Sequence, residues 1–227
     1  MNFIYFIDLN EPLVCINLIN TNKLTSPSLI HMATYETIYP IYTVDPDKLL
    51  NDLNSTQIGF GSPRFQIVAM SNWAKNGLTI GMGTPNPTFY TQGQIERIHR
   101  IAQLEIDFEK GRRKINEIYP SRLSCLYLAE DNYDGRTMLK NMFYLKHNSH
   151  IAPVSISFQT QFLKVDSKWI NYYEKTGDKL AIDNYWNGIN FDNFPEYEYL
   201  LEGQIELENL QDKIYIENNF DLTKYSS

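Results

Sequence analysis

Hydrophobic and polar positions along this chain follow two different periods, which predict a mixture of strands and helices. Residues 1–90 carry short apolar runs bounded by Gly, Pro, Asn and Asp, a pattern typical of strands. This pattern predicts four strands: Phe3–Ile7, Leu13–Leu18, Ile38–Tyr42 and Phe65–Met70. The first part of the chain is therefore expected to be rich in β-structure.

Turn residues in the same region predict one short helix and two loops. Asp45-Pro46-Asp47 is typical of a helix start, and the helix is expected over Lys48–Leu53. Gly59–Pro63 and Gly81–Pro87 are expected to be loops, because Gly and Pro crowd both segments.

The clearest helical pattern follows these loops. Thr91 precedes Gln94 by three residues, the spacing of a capping box that satisfies free amides at a helix start. The apolar positions then recur with helical period, at Ile98, Ile101, Phe108, Ile115 and Tyr119. We expect a helix over Gln92–Ile118, ended by Pro120, with a break near Gly111 as an alternative. Its polar face is predicted to be solvated and carries Glu96, Arg97, Arg100, Glu109 and Arg113.

The remainder of the chain alternates strand and helix runs without a regular βα order. The predicted strands are Arg122–Leu128, Val154–Val165, Tyr197–Leu201, Gln204–Leu207 and Lys213–Ile216. The predicted helices lie within Asp131–Phe143, from a cap at Asp166 or Ser167 to Lys175, and over Lys179–Trp186 before Asn187-Gly188. This order predicts an α+β fold with a mixed or largely antiparallel sheet and flanking helices. One domain is expected over residues 1–227, with a β-rich part to about residue 90 and a core over residues 91–227.

Composition and charge narrow the class of protein. The chain has 227 residues, 43% of them hydrophobic, so it can bury a core without disulfides or metals. Its net charge is −7. The acidic excess argues against broad capture of nucleic acid or anionic membranes. No run reaches the length of a membrane span, and MNFIYFIDLN is interpreted as a strand and not a signal peptide. A cytoplasmic protein without membrane contact is expected.

Cysteine and histidine usage predicts no metal or disulfide framework. Cys15 and Cys125 lie far apart, and Cys125 falls within an apolar run where a buried thiol is the usual outcome. The four histidines form no paired pattern with metal-ligand spacing, so no metal is expected.

Arg122 and Ser124 are the first candidates for chemistry. In a strand over Arg122–Leu128 they would share one face with Leu126. A buried guanidinium needs an anion, and its planar fork fits a pyrophosphate. The simpler alternative is a structural arginine paired with Glu130 or with a helix carboxylate.

Glu196 and Glu198 are the second candidates. In one strand the two carboxylates would share a face, an unfavourable placement unless they are solvated or functional. The same face of the strand would also carry Glu202, Glu206 and Glu208, which favours a solvated face. The functional alternative places one carboxylate in a cleft beside Arg122.

Four segments in order resemble the ADP-ribosyltransferase superfamily, and most of all its poorly characterised bacterial and phage members. They are the helix LEIDFEKGRRK, the strand PSRLSCLYL, a helix ending NYWNG, and the strand EYEYLLEG. The resemblance covers about Gln94–Leu207. It implies a split sheet that holds NAD as substrate and transfers ADP-ribose to a protein side chain or a nucleic-acid base. It also implies a toxin, effector or phage-conflict role, with an antitoxin or immunity protein as partner.

The resemblance also implies roles for individual residues. Glu198 would be catalytic and stabilise the cation that forms as the glycosidic bond breaks, and Glu196 would orient the nucleophile. Arg122 and Ser124 would hold the phosphate or ribose of NAD. Tyr185 or Trp186 would stack on a ring, with core packing as the alternative. The superfamily's basic residue on the first strand is missing from Phe3–Ile7, and His31 could replace it.

Two other functions stay open at this point. The first is a non-catalytic interaction module with a degenerate fold of the same kind. The second is a hydrolase that uses Glu196 and Glu198 as an acid/base pair. The transferase hypothesis makes one geometric prediction, which is that Arg122 and Glu198 face each other across one pocket.

Overall fold

A computed structural model describes residues 2–56, 61–78, 89–143 and 148–221. The strands are β1 (Phe3–Asp8), β2 (Lys23–Thr25), β3 (Leu126–Glu130), β4 (Ser149–Asp166) and β5 (Tyr197–Leu207). The first helices are α1 (Pro12–Thr21), α2 (Pro27–Tyr35), α3 (Pro40–Thr43), α4 (Pro46–Asn51) and α5 (Pro63–Lys75), with a 3₁₀ turn at Leu53–Thr56. The later helices are α6 (Gln92–Ile115), α7 (Tyr133–Met142), α8 (Lys168–Thr176), α9 (Leu180–Trp186) and α10 (Leu210–Asn219).

The five described strands form one antiparallel sheet in the order β2-β5-β3-β1-β4. β1 lies between β3 and β4, with Tyr5 opposite Leu128 on one side and Ala152 on the other. The long strand β4 also pairs with β5, where Lys164 lies opposite Tyr199. This second pairing closes the sheet on itself around β1, β3, β5 and β4. The predicted α+β class, with a largely antiparallel sheet flanked by helices, is confirmed.

Helices cover the sheet on both faces. One face packs Tyr5, Leu128 and Tyr199 with Leu18 of α1 and Ile216 of α10. The opposite face packs Tyr127 and Leu200 against α6 and α9, through Phe108, Tyr185 and Trp186. A further core joins α3, α4 and α5 to the middle of α6. Among the described helices, none is both long and apolar enough to cross a membrane.

Three strands predicted in residues 1–90 are helical. Leu13–Leu18 lies in α1, Phe65–Met70 lies in α5, and Ile38–Tyr42 runs into α3. A short apolar run is compatible with either a buried strand or a buried helix. These three segments form helices, and each helix begins at a proline, whose fixed φ and missing N–H fit the first helical position. The prediction of a β-rich part to residue 90 is therefore wrong for the residues that the structure describes.

In residues 91–227, the predicted boundaries of several helices and strands differ from those in the structure. β3 begins at Leu126, so Arg122 and Ser124 precede it and do not share a strand face with Leu126. α6 runs unbroken through Gly111 and ends at Ile115. Tyr197–Leu201 and Gln204–Leu207 are one strand, β5, and Lys213–Ile216 lies in helix α10.

Other predictions agree with the structure. Phe3–Ile7 lies in β1, Val154–Val165 lies in β4, and the Thr91–Gln94 capping box is present. Asp45 caps α4, and Gly188 adopts φ +66° beyond α9. Of the loop Gly59–Pro63, Pro63 opens α5, while residues 57–60 and the loop Gly81–Pro87 lie outside the described residues.

Candidate functional site

Arg122 lies in a tight turn between α6 and β3. The backbone N–H groups of Ser124 and Cys125 both donate to the Ser121 carbonyl, at 3.0 and 2.9 Å. Ser121 is fixed in turn by its hydroxyl, which donates to Glu109 of α6 at 2.8 Å. This geometry directs the Arg122 side chain inward, between α6, α9 and β5.

The Arg122 guanidinium is fully buried and is held by two carboxylates. Its Nε and Nη2 donate to the two oxygens of Glu105 on α6, at 2.9 and 3.1 Å. Its Nη1 donates to Oε1 of Glu198 on β5 at 2.5 Å. Arg122 and Glu198 therefore meet as predicted, but in direct contact within the core and not across a pocket.

Tyr185 completes this network, which we call the Arg122 cluster (Glu105, Arg122, Tyr185 and Glu198). The Tyr185 hydroxyl donates to Glu198 Oε1 and accepts from Arg122 Nη1, each at 2.5 Å. The tyrosine is fully buried at the end of α9, so it is a core residue in this structure. Glu198 Oε2 has no hydrogen-bond partner among the described residues.

Electrostatics within the cluster favour the charged forms of its ion pairs. Burial alone would lower the pKa of Arg122, but Glu105 and Glu198 hold that pKa well above its usual range. Burial would raise the pKa of Glu105, yet Arg122 and then Arg64 keep it below its ordinary value. The Arg64 Nε lies 3.5 Å from Glu105, so the cluster continues to the start of α5.

Ser124 belongs to a neighbouring contact. The Tyr42 hydroxyl lies 3.3 Å from the Ser124 hydroxyl and donates to Glu202 at 3.1 Å. Burial, and then Glu202, raises the pKa of Tyr42. Ser124 thus contacts Tyr42 and not Arg122's guanidinium.

Glu196 and His31 lie away from the Arg122 cluster. Glu196 precedes β5 and its side chain is exposed, whereas Glu198 is buried, so the two carboxylates do not share a face. An acid/base pair of these two residues lacks the common cleft that it would need. His31 lies on α2, where its Nε2 is 3.1 Å from the Thr37 hydroxyl and its ring contacts Tyr35 and Tyr39.

The basic end of α6 is structural. Arg112 is buried against Glu109, and Arg113 donates to Glu109 and to the carbonyls of Val44 and Ile41. These contacts tie α6 to α3 and to Val44, which follows it. Glu109 and Arg113 therefore do not belong to a solvated face, contrary to the sequence prediction.

A cleft of about 400 Å³ lies on the other side of the Arg122 turn, and we call it the β1–α5 cleft. It is lined by residues of β1, α1, β2, α2 and α5, together with Gly61, Ser62, Cys125 and Tyr127. Aromatic side chains form much of the wall, namely Tyr5, Phe6, Phe65, Trp73, Tyr127 and Phe143. A volume of this order fits part of a nucleotide or a small organic ligand.

The cleft and the Arg122 cluster share a wall. The backbone carbonyl of Arg122 accepts from the hydroxyls of Ser62, at 3.0 Å, and Tyr127, at 2.5 Å. Both of these residues line the cleft. The ion pairs of Arg122 therefore fix the position of the turn that shapes one side of the cleft.

Sequence reasoning missed both Glu105 and the cleft residues of β1 and α5. The sequence does carry a signal for Glu105, which is a row of positions three and four residues apart: Ile98, Ala102, Glu105, Glu109 and Arg112. The structure buries this whole row. Charged residues within an apolar helical stripe predict buried ion pairs. Tyr5, Asp8 and Trp73 carried no comparable signal, since their approach depends on how α5 packs over the sheet.

Comparison with models of protein families identifies the family of this chain. Residues 5–214 match the model of the family described as "Protein of unknown function (DUF2441)". The chain belongs to this family. The DUF2441 match spans β1 to α10 and thus includes the Arg122 cluster and the β1–α5 cleft. No curated protein matches the chain.

Proposed function

We propose that the protein is an NAD-dependent ADP-ribosyltransferase that binds NAD in the β1–α5 cleft and transfers ADP-ribose to a macromolecular acceptor. The observation that carries the proposal is the cleft itself, an aromatic-walled cavity of about 400 Å³ built on the turn of the PSRLSCLYL segment. That segment is one of those that resemble the ADP-ribosyltransferase superfamily. A cytoplasmic toxin or effector with an antitoxin or immunity partner fits this activity and is part of the proposal.

The charges of the cleft suit a ligand that carries both signs. Asp8 and Glu11 bring carboxylates to the lining, and the cationic nicotinamide ring of NAD is attracted by such groups. The N-terminus of α5 lines the cleft through Pro63, the cap residue Ser62 and the preceding Gly61. The positive end of this helix dipole suits the anionic pyrophosphate.

The transfer chemistry requires stabilisation of a developing cation. The bond between the nicotinamide nitrogen and the ribose C1′ breaks, nicotinamide leaves with the electron pair, and the acceptor nucleophile attacks C1′ and loses its proton. A carboxylate fixed beside the ribose stabilises the positive charge in the transition state. Asp8 and Glu11 are the carboxylates of the described lining, and we assign this role to that pair.

Arg122 and Glu198 receive a positioning role in this proposal. Both are fully buried and paired with each other, so neither presents its charge to the cleft. Their ion pairs hold the turn whose carbonyl binds Ser62 and Tyr127. Ser124 and Tyr185 act in the same way, through Tyr42 and Glu198.

The test measures NAD binding by calorimetry and nicotinamide release with cell lysate as acceptor source. We expect the wild type to bind NAD and release nicotinamide, and we expect Asp8→Asn to lower turnover by about 10²-fold or more, a loss typical of one electrostatic catalytic group. Asp134→Asn, an exposed carboxylate on α7, is the matched control and should keep full turnover. A folded wild type that does not bind NAD would refute the proposal.

One observation favours a second candidate, a non-catalytic interaction module. Glu198, the residue that the resemblance implies to be catalytic, is buried and ion-paired. NAD binding without nicotinamide release, unchanged in Asp8→Asn, would support this candidate. Loss of turnover in Glu198→Gln at unchanged stability would instead restore a direct catalytic role to Glu198.

A further inference from the structure

One wall of the β1–α5 cleft contains a row of three side chains on α5. Gln66, Met70 and Trp73 all line the cleft. They lie four and three residues apart, and side chains at these spacings are neighbours on one face of a helix. The row therefore extends over two turns, which is about 10 Å along the helix axis. We call Gln66, Met70 and Trp73 the α5 stripe.

Trp73 differs from the other aromatic residues of the cleft in its exposure. Tyr5, Phe6, Phe65 and Tyr127 are buried, whereas Trp73 is 39% exposed. The Trp73 indole makes no ring contact with another residue that the structure describes. Its ring is therefore available to a planar ligand, and nucleic-acid bases stack readily on aromatic side chains of this kind.

Gln66 brings a polar group to the same wall. Its side chain is half-buried near the N-terminus of α5. Within the described parts of the chain, no group donates to its amide oxygen or accepts from its amide nitrogen. An amide presents an acceptor and a donor side by side. This pair matches one edge of adenine, where the N6 amino group donates and N7 accepts, and glutamine binds adenine in this way.

The α5 stripe carries no charge, which separates it from the parts of the cleft assigned to the charged groups of NAD. The pyrophosphate is assigned to the N-terminus of α5, and the cationic nicotinamide ring to Asp8 and Glu11. Adenine is the neutral ring of NAD. Its face and its edge both find chemical partners on the stripe, because the indole accepts a stacked ring and the amide pairs with N6 and N7.

We propose that the α5 stripe is the adenine subsite of the cleft and that Gln66 determines the preference for this base. This inference rests on the proposed function and specifies how the substrate is selected. The adenine ring stacks on Trp73 and lies against Met70. The Gln66 amide accepts from the N6 amino group and donates to N7. Hypoxanthine has a carbonyl oxygen in place of the amino group, so both atoms at this edge are acceptors and only one hydrogen bond can form.

The experiment uses the whole chain and four defined ligands. Binding of NAD, its hypoxanthine analogue, AMP and nicotinamide mononucleotide is measured by calorimetry. The variants are Gln66→Ala, Trp73→Phe and Trp73→Ala. Gln103→Ala is the matched control, because it removes an exposed amide of α6 outside the cleft lining. The comparison of NAD with its analogue needs only the wild type, so it does not depend on the folding of any variant.

The wild type should bind NAD at least about fivefold more tightly than the hypoxanthine analogue, the low end of the discrimination by one bidentate amide. Gln66→Ala should abolish this preference, and Gln103→Ala should keep it. Trp73→Ala should weaken AMP binding at least about fivefold, whereas Trp73→Phe should retain it because phenylalanine also stacks on a base.

Three results would overturn the adenine subsite and leave the transferase intact. They are equal binding of NAD and its analogue by the wild type, an unchanged preference in folded Gln66→Ala, and a Trp73→Ala variant that weakens nicotinamide mononucleotide but not AMP. Binding of AMP that depends on Trp73 and Gln66, without any NAD binding, supports the subsite and refutes the transferase. A folded wild type that binds none of the four ligands refutes both.

Discussion

Arg122 illustrates how a single residue can be identified by sequence and still be given the wrong surroundings. Its need for an anion follows from its chemistry alone, since a buried guanidinium is unfavourable without a partner. In the structure, Glu105 and Glu198 both form ion pairs with Arg122, so its charge is neutralised within the protein. A phosphate of the substrate is not required to satisfy it.

Removal of this guanidinium should destabilise the fold strongly. Arg122→Met leaves Glu105 and Glu198 buried without their cation, and we expect a loss of about 3–5 kcal/mol in the free energy of unfolding. Arg136→Met breaks the more exposed pair with Asp131 and should cost less than about 1 kcal/mol. Urea denaturation of both variants checks this, and equal losses would contradict a structural role for Arg122.

Glu105 should give the protein an acid-sensitive component of stability. Its pKa is lower in the folded chain than the ordinary value of 4.5, so its ionised form stabilises the fold above that pH. This stabilisation is lost as the pH falls through the folded value. Free energies of unfolding measured from neutral to acid pH should fall more steeply for the wild type than for Glu105→Gln. Parallel curves for the two proteins would show that Glu105 is not ion-paired.

At the scale of elements, α6 and α9 approach each other at Gly111. A Cβ atom there would lie 2.1 Å from the Ile182 side chain and 3.4 Å from Trp186. Gly111 therefore stays within a continuous helix because the contact leaves no room for a side chain, although glycine in a helix interior is unfavourable. α9 also carries Tyr185, which belongs to the Arg122 cluster, and Trp186, whose Nε1 donates to the Phe108 carbonyl of α6.

Two glycines of α6 should respond in opposite directions to alanine. Gly111→Ala forces α6 and α9 apart and should cost about 1–3 kcal/mol. At Gly93 nothing lies within 4 Å of the added Cβ, so Gly93→Ala should stabilise by about 0.4–1 kcal/mol. Thermal and urea unfolding of the two variants check the prediction. A neutral Gly111→Ala would show that the α6–α9 contact is looser than described.

The errors in element type share one cause. Each helix from α1 to α5 begins with a proline at its first position, namely Pro12, Pro27, Pro40, Pro46 and Pro63. Proline fits there because its missing N–H has no partner in the first turn. The composition of an apolar run such as Leu13–Leu18 favours a strand, whereas the proline that precedes it indicates the start of a helix.

At the scale of the whole molecule, the two parts of the chain share one sheet. β1 lies between β3 and β4, and β2 pairs with β5. A fragment of residues 91–227 would lose β1, which separates β3 from β4, and β2, which pairs with β5, and would expose the apolar residues that they cover. We expect the fragment alone to show no cooperative unfolding transition in circular dichroism, and co-expression with residues 1–90 to restore one. A stable, cooperatively folded fragment would contradict this arrangement.

The sequence by itself determined the local features of this protein. The capping box of Thr91 and Gln94 determines the start of α6, and Gly188 marks the end of α9. The presence of both helical and strand periods in the hydrophobic pattern predicts the α+β class. Arg122 and Glu198 were both recognised as candidates, because residue chemistry and order along the chain are local properties. The tertiary structure decided that these two residues pair inside the core, while the cleft forms between β1 and α5. Burial and cavities depend on which distant surfaces pack together, and no local pattern of side chains carries that information.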